Sequence, residues 1–173
     1  MNAIVAADRN WAIGRESSLL FPLPGDMKRF RALTSGGTVI MGRKTLDSFP
    51  GGRPLSGRRN IVITRDPGFN RDSCEVVHSP AAALTLAGKD PYVWLIGGGS
   101  IYAALLACCH RVCVTRVDAA VPDADVFFPD LDALPEWTVE RTSEPITENG
   151  FTYRFVDYIR RTPVRPPDVF SPC

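Results

Sequence analysis

Short apolar runs that end in glycine or a polar cluster, each followed by a helical pattern, recur through the first two-thirds of the chain. "NAIVAAD" (2–8), "TVIMG" (38–42), "NIVIT" (60–64), "CEVVHS" (74–79) and "VWLIGGG" (93–99) read as strands. Between them "GDMKRFRALTSGG", "RKTLDSF", "AAALTLAG" and "SIYAALLACC" read as helices. This alternation leaves few folds open. Strands that are apolar on both faces need helices on both faces, which makes a mostly parallel α/β sheet. Further on, "RVCVTRVD", "EWTVERTSE" and "FTYRFVDYIRR" alternate apolar with polar, the last two reading as a pair across an Asn149-Gly150 turn. They add an antiparallel edge to one side of the sheet. No internal repeat or linker divides the 173 residues, a length that suits one domain.

Local chemistry sets the helix ends. Pro24 suits a first helical turn, Met27, Phe30 and Leu33 recur on one face, and Gly36-Gly37 stop the helix. Ser79-Pro80 supplies a cap and a first-turn proline for the alanine-rich helix after it. "RNWAIGRESSLLFPLPG" (9–25) has too little periodicity for either element and reads as a long functional loop. The proline-rich segment from 162 to 173 reads as an extended tail.

Composition narrows the function. Twenty basic residues face nineteen acidic ones, and no basic stripe is interleaved with aromatics, so nucleic acid is not the expected partner. The start lacks the pattern of a secretory signal, and no apolar run approaches the ~20 residues of a membrane span. A cytoplasmic monomer without membrane contact is expected. Five cysteines show no disulfide spacing. "CCHRVC" crowds thiols and an imidazole into six residues, but zinc ligands usually come as two separated pairs. Buried thiols at a helix-to-strand junction are the stronger reading, and no metal is expected.

Three strand ends carry candidate chemistry. Gly97, Gly98 and Gly99 lie between a strand and a helix, where a tight turn usually needs one glycine; three favour a phosphate cradle. The pattern is not GxGxxG, because Tyr102 holds the last position, so a Rossmann fingerprint is rejected. At a second junction, Arg43, Lys44 and Thr45 fit either a phosphate contact or a solvated basic surface. Thr64 and Arg65 follow the next strand. Two anion-friendly ends and a further cation suit a ligand with separated phosphates, such as a dinucleotide carrying a 2'-phosphate. Arg53, Arg58 and Arg59 in "GRPLSGRRN" read, alone, as exposed charge, although guanidinium can grip a carboxylate bidentately.

No Ser-His-Asp set is readable. Acid-base work falls to Asp26 in "LLFPLPGDMKRF", where Phe21, Leu23, Met27 and Phe30 surround a carboxylate at a helix start. Helix capping and a charge meeting a ligand in a pocket are both open. Thr115, in "VCVTRVD", reads by itself as a β-branched strand residue able to donate a hydroxyl.

The order and spacing of "IVAADRNWAIG", "LPGDMKRF", "VIMGRKTLDSFPGGRPLSGRRNIVIT", "VWLIGGGSIY", "VTRVDA" and "DADVFFPD" resemble dihydrofolate reductase of the bacterial, chromosomal type, over about residues 2–161. The resemblance implies an α/β fold with an eight-stranded, mainly parallel central sheet, an antiparallel C-terminal strand and about four flanking helices. It divides the chain into a reductase domain, 1–161, and a tail, 162–173. It also implies NADPH-dependent reduction of 7,8-dihydrofolate to tetrahydrofolate, with hydride transfer to C6 and protonation at N5, supplying one-carbon metabolism.

Residue by residue, Asp26 matches the carboxylate under the pterin, and Thr115 the hydroxyl bridging acid and substrate. Ile4, Phe30 and Ile96 match the walls around the ring, and Arg58 the partner of the glutamate α-carboxylate. Gly97-Gly98 matches a glycine pair that is cis in the family. Gly98, Gly99, Ser100, Ile101 and Tyr102 match the cofactor lining. Arg43, Lys44 and Thr45 match the grip on the pyrophosphate and 2'-phosphate, assisted by Thr64 and Arg65. Ala6, Ile13 and Gly14 match the nicotinamide end, and the loop from Arg9 to Leu23 the mobile lid.

One departure bears on mechanism: where the family usually has Pro-Trp, this chain has Leu20-Phe21, and Phe21 lacks the indole donor that commonly holds a water near the acid. Two rivals remain. A riboflavin-pathway pyrimidine reductase of the same fold would take a ribityl-phosphate substrate, against which Asp26, Thr115 and Arg58 argue. A non-catalytic nucleotide-binding protein would need neither the acid nor the lid.

Overall fold

The structure is a computed structural model and describes residues 1–15, 18–88 and 90–162. The proline-rich tail lies, from 163 on, outside the described residues, as do Glu16 and Ser17 of the expected lid.

The elements in chain order are β1 (Asn2–Ala7), β2 (Ala12–Arg15), β3 (Ser18–Leu19), α1 (Pro24–Thr34), β4 (Thr38–Gly42), α2 (Arg43–Asp47), β5 (Arg59–Ile63), β6 (Glu75–Val77), α3 (Pro80–Ala87), β7 (Val93–Gly97), α4 (Gly99–Leu105), β8 (Arg111–Val117), β9 (Val126–Phe127), β10 (Trp137–Thr142), β11 (Ile146–Glu148) and β12 (Phe151–Arg160). The main sheet runs β10-β12-β8-β1-β7-β4-β5-β6, with β11 paired to β12. Pairings from β8 through β6 are parallel; β12 is antiparallel to β8, as are β10 and β11 to β12. This is the mainly parallel sheet with an antiparallel C-terminal side.

The two-residue period of a strand sorts the apolar residues into two layers. On one face Ala3, Val5, Ala7, Ile40, Leu95 and Val112 join Ala83 and Ala87 of α3 and Tyr102 and Leu105 of α4. On the other, Ile4, Val39, Met41, Ile96 and Cys113 meet Leu46 of α2, with Phe30 of α1 packed at the margin. Ser79 caps α3 as expected, its hydroxyl accepting from the Ala82 N–H at 3.1 Å.

The C-terminal hairpin differs from the expected pairing. Asn149 (φ 51°) and Gly150 (φ 79°) form the tight turn, but they join β11, not β10, to β12. β10 pairs with the far half of the long strand, through a register irregularity between Val139 and Arg141. A strand of three residues gives too short an alternation to be seen in the sequence.

The segment read as a long loop is more ordered than its pattern indicates. β2 pairs with β3 and with β9, over a hundred residues away, forming a small second sheet. Asp8 holds its entrance. The carboxylate is fully buried and accepts from the N–H groups of Asn10 (2.7 Å), Ala12 (2.9 Å) and Val121 (2.8 Å). Such bonds compensate a charge taken out of water.

Candidate active site

The apolar face of α1 is the first sign of a site. Met27 and Leu33 remain 45% and 37% exposed, and Thr34 is the buried residue of that helix. An amphipathic helix whose apolar stripe does not enter the core needs another occupant for it. Here Asp26, Met27 and Phe30 form one wall of a cavity of about 1010 Å³. Ile4, Val5 and Ala6 of β1 and Ile96 of β7 form its floor. The cavity opens at the carboxyl ends of β1, β4, β5 and β7, the usual ligand position in an open α/β sheet.

Asp26 sits in the first turn of α1, but it caps nothing: Leu23 holds the N-cap position with no side-chain bond. Its Oδ1 accepts from the Thr115 hydroxyl at 2.6 Å, and Thr115 is buried on β8. Among the described residues Oδ2 has no hydrogen-bond partner. Burial raises the Asp26 pKa above the ordinary carboxyl value, against the opposing pulls of the Thr115 bond and of Arg29, and Glu148 adds to the rise. A half-buried acid with one satisfied oxygen suits a ligand with two donors at its edge.

The floor continues into the glycine turn. Gly97 has φ +120°, a conformation that side chains rarely adopt, and the Gly97-Gly98 peptide is cis. A Cβ on Gly98 would lie 3.3 Å from Thr45 Oγ1, so the turn after β7 and the first turns of α2 approach closely here. The Gly98 carbonyl accepts from the N–H groups of Ile101 and Tyr102, both at 2.9 Å. The Tyr102 hydroxyl donates to the Ile4 carbonyl at 2.6 Å, and burial drives its pKa upward, so it stays a donor. That bond ties α4 to β1 beneath the cavity.

Gly97, Gly98, Gly99, Ser100 and Ile101 line the same cavity, as do Ile13 and Gly14 of β2. So do Arg43, Lys44, Thr45, Thr64 and Arg65 at the far end. Arg43 there is already engaged: Nη1 donates to Asp66 Oδ2 at 2.9 Å, Nε lies 3.7 Å from Asp47 Oδ2, and the guanidinium is 5.5 Å from the Phe69 ring centroid. Among the described residues Lys44 and Arg65 have no ion-pair partner.

Thr115 and Arg58 are not cavity walls. Thr115 acts from behind, through Asp26. Arg58 opens on a separate hollow of about 390 Å³ with Gly57 and Tyr92. Its Nη1 donates to Thr34 Oγ1 at 3.0 Å and its guanidinium stands 5.9 Å from the Phe30 ring centroid, behind the α1 wall. Among the lining residues that escaped the sequence reading are Ser48 and Phe49 after α2, and His78. His78 follows β6 directly, and its Nδ1 is 3.0 Å from the Thr64 carbonyl. The rule that ligands meet the carboxyl ends of strands points to it.

A half-buried, partly satisfied acid at one end of a long cavity, with a glycine turn along its middle and unpaired cations at the other end, defines an α/β enzyme that brings an anionic cofactor to a second ligand. Comparison with known proteins makes that specific. The family model described as dihydrofolate reductase matches residues 1–160. The chain is 40% identical to a dihydrofolate reductase of Mycobacterium tuberculosis over 151 residues, covering 86% of this chain and 90% of the relative. It is 36% identical to dihydrofolate reductase type 3 of Salmonella typhimurium over 162 residues, covering 93% and 98%. Among solved structures, a dihydrofolate reductase from Enterococcus faecalis complexed with NADP(H) and RAB-propyl superposes with a TM-score of 0.84 at 30% identity, covering 93% of this chain and 96% of that one. The chain belongs to the dihydrofolate reductase family.

Proposed function

We propose that this protein reduces 7,8-dihydrofolate to 5,6,7,8-tetrahydrofolate, adding a hydride at C6 and a proton at N5, and that Asp26 is the group that orients the substrate. The observation that carries the role of Asp26 is its geometry: Thr115 holds Oδ1 while Oδ2 is left for the cavity. A carboxylate so placed accepts from N3–H and the 2-amino group of the pterin, bonds that are strong where water is excluded. Ile4, Phe30 and Ile96 grip the flat ring on its faces. Burial raises the proton affinity of Asp26 above that of an ordinary carboxyl.

NADPH, when bound, supplies the hydride. The residues present suit it: glycines line the middle of the cavity, and Lys44, Thr45, Thr64 and Arg65 offer cations and hydroxyls at the far end. Arg43 is shared with Asp66 and completes that set. Arg58 reaches the substrate's glutamate from behind Phe30. We take residues 1–161 as the reductase unit, since β12 ends at Arg160, and the residues from 162 as a tail. A cytoplasmic monomer is the corresponding cellular reading; no described helix is long and apolar enough to cross a membrane.

The test is a spectrophotometric assay. Purified protein should oxidise NADPH when dihydrofolate is added and not without it. Absence of dihydrofolate-dependent oxidation in a folded sample would defeat the reading.

A further inference from the structure

A second acid stands beside Asp26 and takes no part in the account so far. Glu148, the last residue of β11, is half-buried against the N-terminus of α1. Its Oε1 accepts from the Gly25 N–H at 2.7 Å and from the Tyr153 hydroxyl at 2.9 Å. Gly25 is the chain neighbour of Asp26, and its N–H is one of those a helix start leaves without an internal partner. Next to Glu148, Asn149 Nδ2 donates to the Pro22 carbonyl at 2.8 Å. The β11–β12 hairpin thus grips the chain on both sides of Leu23, directly before the acid.

The fit requires glycine at 25. A Cβ there would lie 2.2 Å from the Tyr153 hydroxyl oxygen and 3.0 Å from Glu148 Oε1. The backbone at 25 is bare, so the Glu148 carboxylate can reach its N–H with the Tyr153 phenol packed alongside. Tyr153 is buried and its pKa is pushed up to about 12, chiefly by burial and then by the Glu148 bond, so it remains a donor to that carboxylate.

We propose that Glu148 is a positioning residue for the reaction: its carboxylate, bonded to the Gly25 N–H, fixes the first turn of α1 and sets a negative charge close to Asp26. The proposal rests on the role given to Asp26 above. The charges and titratable groups around Asp26 can be assigned to every element packed near it. Thr115 on β8 donates to it and favours the anion. Arg29, one turn along α1, also favours the anion, but it is ion-paired with Asp157 of β12 and stacked 4.4 Å from the Phe155 centroid. Tyr102 of α4 and Tyr153 of β12 stay neutral. Cys113 of β8 has its pKa raised to about 12 by burial and stays a thiol. Glu148 is the group that opposes ionisation of Asp26 by charge, adding to desolvation. It does so in a chain that lacks the indole donor, since Phe21 is packed edge-on against Phe151 at 5.2 Å.

The discriminating variant is Glu148→Gln. An amide oxygen still accepts from Gly25 and Tyr153, while the charge is gone. The carboxyl carbon of Asp26 is followed against pH by NMR in the parent and the variant, alongside the pH profile of turnover. In E148Q Asp26 should titrate at lower pH than in the parent, with thermal stability retained. The alkaline limb of turnover should move the same way, lowering the rate on that limb roughly threefold, the scale of one partly screened charge. Glu148→Ala should show the same titration shift and, in addition, a lower melting temperature. An Asp26 titration that superimposes in parent and E148Q overturns the proposal, whatever E148A does to stability. The NMR titration needs no substrate, so it stands apart from the failure of dihydrofolate turnover, which would defeat the functional reading instead.

Discussion

Asp26 and Arg43 stand in the walls of one cavity, yet different physics governs them. Asp26 is one carboxyl group sunk between α1 and β8, with Thr115 its hydrogen-bond partner and apolar side chains around it. Arg43 is 41% exposed, shared between Asp66 and Asp47, and only one of several cations at its end. Where water is excluded, a charge has few competitors and each partner counts heavily; at the exposed end, solvent and salt dilute every contact. The substrate end should therefore depend on single residues, and the cofactor-phosphate end on several that substitute for one another.

The largest break in that contrast would come from Asp26→Asn. Turnover at neutral pH should fall by about a hundredfold or more, the scale of a lost proton-handling group. It should recover in part at low pH, where dihydrofolate itself takes up a proton at N5. Unchanged neutral turnover would remove the distinction between the two ends. The same variant has a stability signature. Because folding raises the Asp26 pKa above its ordinary 3.8, the folded chain holds the extra proton across the interval between the two values. Stability declines as pH climbs through that interval, and the ionised acid remains a cost above it. The ligand-free Asn variant should melt higher than the parent at neutral pH, with the gap closing as pH falls toward 4. Differential scanning calorimetry across pH checks this.

Thr115→Val comes next. It removes the donor to Oδ1 and keeps the shape, so turnover should drop about tenfold, the cost of a lost bond to a buried charge. Because the hydroxyl favours the anion, its loss should move the alkaline limb to higher pH, opposite to Glu148→Gln. Shifts in the same direction for the two variants would mean that neither acts through charge on Asp26.

What the sequence displayed follows the same division. Strand-helix alternation announced the parallel sheet because central strands are apolar on both faces and need nothing distant to be recognised. The Asp26 neighbourhood was half legible: an acid at a helix start was visible, but its hydroxyl partner lies 89 residues on and its opposing acid 122 residues on, from separate strands. The small sheet of β2, β3 and β9 was hidden for the same reason, since β2 is paired on one side by the two-residue β3 and on the other by the distant Val126 and Phe127. Asp8 looked like a strand end and proved to be the fully buried clamp for that sheet. The resemblance supplied roles for Arg43 and Arg58, but not the pairing that engages one with Asp66 or the placement of the other behind Phe30.

At the cofactor end, Arg65→Ala should raise the KM for NADPH several-fold and leave that for NADH unchanged, because only the former carries the 2'-phosphate. The effect should shrink as ionic strength rises toward 1 M, where the screening length falls to about 3 Å. Equal effects on the two cofactors would show that Arg65 does not read the 2'-phosphate.

The smallest effect, and the most pointed, belongs to Asp66→Asn. Arg43 Nη1 donates to Asp66 at 2.9 Å with both side chains close to half exposed, a kind of pair worth little to stability. If Arg43 binds phosphate, Asp66 competes with the cofactor for the same guanidinium and adds a like charge beside the incoming anion. Replacing it by asparagine keeps the size and removes that competition. The KM for NADPH should fall about two- to threefold at low salt, with NADH unmoved and the difference gone at high salt. A higher KM would mean that Asp66 holds Arg43 in its binding orientation, which would make even this solvent-exposed contact dependent on a single partner and bring the two ends of the cavity closer in kind.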